Sequence, residues 1–115
     1  MDTRTKIIDA AEAVRIARAG ATVVSGYFDP MIASHAEHLA TLKQDGTPLL
    51  VLIATPPDAI LPALARAQLV AGLSVVDYVC DAPAGVTPQI QLEGEHVELL
   101  TKLIDHVHAR QRAAS

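Results

Sequence analysis

Apolar, β-branched runs alternate with helix-like patterns along the chain. The strongest strand candidates are residues 21–25, 49–54 and 75–80, and residues 89–92 predict a short edge strand. The run at 49–54 is apolar at every position, which is typical of a parallel strand covered by helices on both faces. We therefore expect Leu50, Val51, Leu52 and Ile53 to be buried.

Helical patterns separate these runs. Residues 9–19 place small apolar side chains near one face and end at Gly20. Ser34, followed three positions later by Glu37, predicts a capping box that opens a second helix, with Leu39 and Leu42 facing inward.

Two further helices are predicted in the second half of the chain. One runs from Pro62 to about Gly72, with Leu64, Ala67 and Ala71 on its buried face. The other is the longest, over residues 93–112. Its apolar stripe consists of Val97, Leu100, Leu103, Ile104 and Val107.

This order of elements predicts an α/β fold: a Rossmann-like, three-layer domain with a mainly parallel sheet of four or five strands. Its 115 residues suffice for a single domain, 1–115. Right-handed crossovers place the first strand centrally. Because ligands bind such sheets where the strand order reverses, the loop after the first strand, residues 26–34, is the candidate site.

Composition excludes several classes of protein. A content of 50% hydrophobic and 19% charged residues is unlike a disordered chain. A net charge of −4, no Trp and a single Phe argue against nucleic-acid partners. No apolar run reaches the roughly 18 residues of a membrane span, and the first residues do not resemble a signal peptide. Cys80 is the only cysteine, which favours a reducing, cytoplasmic location.

The residues after the first strand resemble a known motif. Residues 23–35 read Val-Val-Ser-Gly-Tyr-Phe-Asp-Pro-Met-Ile-Ala-Ser-His. This segment resembles the first motif of the cytidylyltransferase-like nucleotidyltransferases, in which a strand leads through Asn-Gly-x-Phe-Asp to His-x-Gly-His at a helix start. Residues 65–79 resemble the family's Arg-containing helix and the strand that follows it. The resemblance covers about residues 9–80. Within the family, the chain is similar to glycerol-phosphate cytidylyltransferases and heptose-phosphate adenylyltransferase domains.

The resemblance implies transfer of a nucleotidyl group from CTP or ATP to a phosphorylated sugar or alcohol, with release of pyrophosphate. Mg²⁺ would accompany the nucleotide, although nothing in the sequence itself requires a cofactor. Attack on an α-phosphorus needs positive or N–H donors around the triphosphate. Position by position, the resemblance implies catalytic roles for His35 and Asp29. The implied nucleotide-binding residues are Gly26, Tyr27, Phe28, Ser34, Arg66 and Asp77.

Departures from the family pattern point to impaired catalysis. Ile32 occupies the place of the first histidine, and Ser34 that of the intervening glycine. The loop at 55–58 is short, and the C-terminal third has no Ser-Thr-rich triphosphate motif. Since loss of one positioned donor typically costs about 100- to 1000-fold in rate, the chain is interpreted as a catalytically impaired relative.

Each candidate also has a structural interpretation. Asp29 before Pro30 is suited to a turn, and Arg66 to a solvated helix surface. His35 could pack in the core. Asp77, within an apolar strand, needs a partner such as a backbone amide. His35 and His38 have helical spacing, but further ligands are lacking, so no metal site is predicted.

Two functions remain open at this point. The first is a nucleotidyltransferase-like protein with a nucleotide and a phosphorylated small molecule as ligands. The second is a non-catalytic nucleotide-binding or protein-interaction module that kept the fold. In either case the long apolar stripe of residues 93–112 needs cover, and the family commonly forms dimers. We therefore expect a homodimer.

Overall fold

A computed structural model of the protein describes residues 3–29, 33–57, 59–81, 86–94 and 96–97. Within these ranges four parallel strands form one sheet in the order β3-β2-β1-β4. The strands are β1 (Thr22–Gly26), β2 (Leu49–Ile53), β3 (Tyr78–Asp81) and β4 (Ile90–Gln91). The helices are α1 (Ala10–Arg18), α2 (Ala33–Leu42) and α3 (Ala63–Ala71), preceded by a 3-10 turn at Thr3–Lys6. The predicted α/β, Rossmann-like fold is confirmed.

Strand β1 lies inside the sheet, as predicted. Val24 is opposite Val51 of β2 on one side and opposite Ile90 of β4 on the other. The chain moves outward from β1 to β3 and then returns across the sheet to β4. The strand order therefore reverses between β1 and β4, and the carboxyl ends of these two strands form the switch point at which such folds bind ligands.

Two apolar clusters cover the two faces of the sheet. On the face that carries α1, Ala13 and Ile16 pack with strand residues; we call this the α1 face. The opposite face, here the α2–α3 face, buries Leu39 of α2 together with α3. The α1 face contributes Val23, Leu50, Leu52 and Cys80, and the α2–α3 face contributes Val24, Val51, Ile53 and Val79. Helices on both faces explain why all five residues of β2 are buried.

Local signals account for the ends of α1. The Asp9 side chain accepts a hydrogen bond from the N–H of Glu12 at 2.9 Å, which satisfies one of the free amides of the first turn. After the last turn, Gly20 adopts a φ of 106°, a conformation that glycine reaches without steric penalty. This turn returns the chain directly into β1.

Several sequence-based predictions were wrong in detail. Helix α2 already begins at Ala33, so Ser34 lies in its first turn and is not the N-cap of a capping box. Strand β3 begins at Tyr78 because residues 72–75 still form turns after α3. Leu64, predicted to face inward, is 62% exposed, whereas Ala67 and Ala71 are buried as predicted.

The predicted C-terminal helix falls mostly outside the described residues. Residues 93, 94, 96 and 97 are helical, and the remainder of 93–112 is not described. Val97, the first member of the predicted apolar stripe, is exposed. Among the described helices, none combines the length and apolar character that a membrane span requires.

The outer side of β3 is covered by the N-terminal segment. Ile7 forms a parallel bridge with Val79, and the N–H of Ile8 donates to the carbonyl of Val79 at 2.8 Å. The ammonium of Lys6 donates to the carbonyl of Leu73 at 3.1 Å. This segment thus extends the sheet by a short backbone pairing beyond its last named strand.

Candidate functional site

The loop that follows β1 is fixed to the beginning of the last described helical turn. The backbone N–H groups of Tyr27 and Phe28 both donate to Nδ1 of His96, at 3.0 and 3.2 Å. Phe28 has a φ of 48°, a left-handed conformation that side-chain-bearing residues rarely adopt. The two bonds to one imidazole nitrogen, together with complete burial of the Phe28 ring, hold the loop in this conformation.

Three rings pack together beneath this loop. The imidazoles of His35 and His96 stack with a centroid distance of 3.9 Å, and the Phe28 ring lies at 4.4 Å from His96 in an edge-on arrangement. Phe28 also contacts His35 edge-on at 5.7 Å. All three side chains are buried, so His35 is a packing residue of this cluster in the described structure.

His96 is neutral in this environment. Its Nδ1 accepts two hydrogen bonds and therefore carries no proton there. Burial, reinforced by the nearby His35 and His38, lowers the pKa of His96 from 6.5 to about 3. At neutral pH this imidazole is not a source of positive charge for a phosphate.

Gly26 is the residue that allows His96 to pack so closely. A Cβ at this position would lie 2.7 Å from Cε2 of Phe28 and 2.9 Å from Nδ1 of His96, and closer still to Cε1 of His96. These distances are shorter than side-chain carbons tolerate. The glycine is therefore required by the protein's own ring cluster, whether or not a ligand approaches the loop.

We predict that Gly26→Ala lowers the free energy of unfolding by about 1–3 kcal/mol, because the ring cluster or β1 must shift to accommodate a methyl group. Urea denaturation measures this loss. Gly94→Ala is a matched control, since a Cβ at Gly94 would meet no atom within 4 Å. Equal stabilities for the two variants would contradict the close packing at Gly26.

Asp29 ties this loop to the loop after β2. Its two carboxylate oxygens accept hydrogen bonds from the backbone N–H groups of Ile60 and Leu61, at 2.6 and 2.7 Å. The carboxylate is buried, and both of its oxygens have backbone partners. Asp29 thus has a structural role across two loops, in addition to any contact with a ligand.

Arg66 is a second connection between the same loops. Its Nε donates to the carbonyl of Leu61 at 3.0 Å, and its Nη1 donates to the carbonyls of Tyr27 and Ala54 at 3.1 and 2.6 Å. Nη2 contacts Oγ1 of Thr55 at 3.3 Å. The prediction of a solvated charge was wrong, because Arg66 is only 1% exposed.

Asp77 lies at the amino-terminal ends of β2 and β3, opposite the carboxyl ends of the strands that precede the other candidate loop. Its carboxylate accepts hydrogen bonds from Nζ of Lys43 at 2.6 Å and from the N–H of Leu49, the first residue of β2, at 2.8 Å. Burial raises its pKa, but these two donors outweigh that effect and the pKa of Asp77 is lower than its ordinary value. The predicted need for a partner is confirmed, and the structure separates Asp77 from the loop after β1.

The remaining candidates are distributed around the start of α2. Ser34 is exposed in the first turn of the helix, and Tyr27 is half-buried. Ile32, the key departure from the family pattern, lies outside the described residues. Within the part of the chain that the structure describes, no three potential metal ligands come together.

A cleft opens at the switch point between β1 and β4. Its volume is about 230 Å³, and it is lined by Ser25, Leu52, Ala54, Val86, Pro88, Gln91 and Glu93. Its described lining includes a serine, a glutamine and a glutamate, and no Lys, Arg or His is among those described residues.

Sequence reasoning did not identify His96, which is the centre of this region. Its position became important only because β4 returns to β1 and brings the residues after β4 beside Gly26. No spacing between Gly26 and His96 indicates this contact.

Comparison with known proteins adds no relative: no family model matches the chain, and no curated protein matches it.

Proposed function

We propose that this chain is a nucleotidyltransferase-like binding module that holds a nucleotide at the loop between β1 and α2 without transferring it. The resemblance of residues 23–35 and 65–79 to the family's motifs supports the ligand class. The position of the loop at the switch point of the sheet supports the proposed location of the nucleotide. The exposed first turn of α2, at Ala33 and Ser34, offers helix N-terminal amides to a phosphate.

The main support for the proposal that the nucleotide is not transferred comes from the hydrogen bonds of Arg66. An Arg side chain has five N–H donors, and four of them are directed at Leu61, Tyr27, Ala54 and Thr55. Charge that develops on a triphosphate during transfer needs donors that are available to it. Among the described Lys and Arg side chains, Arg66 is the one that hydrogen-bonds at the carboxyl ends of the strands, and it is nearly saturated.

The loop amides support the same conclusion. In a loop that cradles phosphates, backbone N–H groups point toward the ligand. Here the N–H groups of Tyr27 and Phe28 donate to His96 instead. Their release would require the buried ring cluster to open, so the loop is built for rigidity and offers few donors for catalysis.

Two measurements on the same preparation test this proposal. CTP and ATP with Mg²⁺ should raise the thermal unfolding midpoint, because a ligand at 100 times its Kd adds about 2.7 kcal/mol. Pyrophosphate release with a panel of sugar and alcohol phosphates should not exceed the protein-free rate. Pyrophosphate release above the protein-free rate would contradict the proposed loss of transferase activity. An unchanged midpoint with both nucleotides would contradict nucleotide binding.

A protein-interaction module is the second candidate, and a specific observation favours it. Ile60, in the loop before α3, and Leu64, in the first turn of α3, are 63% and 62% exposed. Large apolar side chains exposed near one another in sequence are candidates for a protein contact. A second copy of the chain is the partner expected from the resemblance, and light scattering at micromolar concentration distinguishes a dimer from a monomer.

A further inference from the structure

The N–H groups of Tyr27 and Phe28 converge on a single acceptor. They are successive amides of the loop after β1, and both donate to Nδ1 of His96, at 3.0 and 3.2 Å. Phe28 has left-handed backbone geometry, with a φ of 48°. Successive backbone N–H groups in turns of this kind form a concavity, called a nest, that binds anions. In this protein the nitrogen of a neutral imidazole occupies the position that the nest offers to an oxyanion.

His96 occupies the nest with one of its own polar atoms unsatisfied. Because Nδ1 accepts hydrogen bonds, the ring proton of the neutral imidazole is on Nε2. Nε2 is buried and has no hydrogen-bond partner among the described residues. A buried donor without a partner destabilises the arrangement that contains it. The imidazole is held in place by the two loop amides and by its packing against Phe28 and His35.

Protonation of His96 removes the acceptor from the nest. An imidazolium donates from both nitrogens and accepts at neither. A proton on Nδ1 therefore breaks both bonds to the loop and places an N–H group against two others. The imidazole has to leave the nest, and the amides of Tyr27 and Phe28 then need another acceptor.

The surroundings of His96 prevent it from taking up this proton in place. The described ionisable residues on the elements around it are His35 and His38 of α2, Asp29 and Arg66 at the loop, and Glu93 on its own turn. Burial, His35 and His38 lower the pKa of His96 from 6.5 to about 3. Once the imidazole is exposed its pKa returns to about 6.5. Below pH 6.5, protons therefore favour the open arrangement, in which the imidazole has left the nest.

We propose that His96 is a pH-sensitive switch at an anion-binding nest: when its imidazole is protonated and leaves, the N–H groups of Tyr27 and Phe28 bind a phosphate oxygen. This inference rests on the proposed function, because it concerns the regulation of the same loop. At neutral pH a phosphate meets the amides at the start of α2, and in mild acid it also meets the nest. The affinity for the anion therefore rises as the pH falls.

Sulfate is a suitable probe, because it remains a dianion throughout this pH range whereas a nucleotide phosphate changes its own charge. Sodium sulfate is titrated into the ¹⁵N-labelled full chain at pH 7.5 and pH 5.5, with sodium chloride keeping the ionic strength constant. We expect about tenfold tighter binding at pH 5.5, the ratio set by a pKa of 6.5 in the open arrangement. The amide signals of Tyr27 and Phe28 should shift and saturate. Equal affinity at the two pH values, or shifts confined to Ala33 and Ser34, overturns the proposal.

Two substitutions of His96 and one control identify the group responsible. His96→Asn keeps an acceptor for the loop amides but does not titrate, so its sulfate affinity should be equal at the two pH values. His96→Ala removes the acceptor and should bind sulfate at pH 7.5 at least as tightly as the parent does at pH 5.5. His38→Asn removes an imidazole of α2, leaves the bonds to Nδ1 of His96 in place, and should retain the pH dependence. A pH dependence in His96→Asn equal to that of the parent refutes the switch, whether or not His96→Ala folds.

The thermal measurement with CTP and ATP tests the proposed function separately. Stabilisation by a nucleotide, together with a sulfate affinity that does not change with pH, supports the nucleotide function and overturns the switch. Sulfate binding that tightens in acid, without stabilisation by either nucleotide, supports the switch and overturns the nucleotide as its ligand.

Discussion

Replacing Arg66 by Met is expected to destabilise the protein by about 3 kcal/mol or more. Met retains much of the apolar stem but removes every donor of the guanidinium. The carbonyls of Leu61, Tyr27 and Ala54 would then lose their hydrogen bonds to Arg66. A hydrogen bond to a charged group contributes about 1.5–3 kcal/mol, and here three carbonyls in partly buried positions share a single charged partner.

Urea denaturation of Arg66→Met beside Arg15→Met measures this effect under matched chemistry. Arg15 is exposed, and its ion pair among the described residues is with Glu12 on the surface of α1, so its loss should leave the free energy of unfolding almost unchanged. Arg66→Lys should lie much nearer to Arg66→Met than to the parent, because an ammonium cannot reproduce the fork of donors. Similar stabilities for Arg66→Met and Arg15→Met would show that Arg66 is not the connection described.

Mild acid is expected to destabilise the fold through His96. The pKa of this residue is about 3 in the folded protein and about 6.5 when it is exposed in the unfolded chain. Between these two values the unfolded state binds the additional proton, so stability is complete above pH 6.5 and declines as the pH falls toward 3. The decline attributable to this one group approaches about 1.4 kcal/mol per pH unit.

His96→Asn separates this contribution from the rest. The amide oxygen of Asn can accept from the N–H groups of Tyr27 and Phe28 but does not titrate. We expect its stability to change with a shallower slope than that of the parent between pH 6.5 and 4. Asp77 affects both proteins at lower pH, because a lowered carboxyl pKa stabilises the fold above about 3.8 and that contribution is lost below it. Parallel slopes for parent and variant would exclude His96 as the sensor.

The sheet could be predicted from sequence because its signals are local. The uninterrupted apolar run at 49–54 indicates a strand covered on both faces, and all of Leu50, Val51, Leu52 and Ile53 are buried. Gly20 and Pro62 mark helix ends through backbone geometry that depends on neighbouring residues only. The predicted bounds of an element were wrong where a turn occupied part of it: the third strand was predicted from residue 75 but begins at Tyr78.

The chemistry of the candidate site could not be predicted in the same way. Arg66 has the spacing of a surface residue on a short helix, and only the convergence of two loops makes it a buried donor. His96 is 70 residues from Gly26 in sequence, and the return of β4 to β1 brings them together. A motif specifies which side chains reach the carboxyl ends of the strands, whereas the fold decides whether those side chains bind a ligand or bind each other.

The short pairing of the N-terminal segment with β3 also affects the tendency of the protein to aggregate. Strand β3 is an edge strand with the sequence Tyr-Val-Cys-Asp, and an exposed edge of this kind recruits strands from other chains into aggregates. Ile7 and Ile8 occupy the backbone of Val79 that such a strand would use. The segment thus blocks the backbone position at which a strand from another molecule would pair with β3, and its removal is expected to increase aggregation.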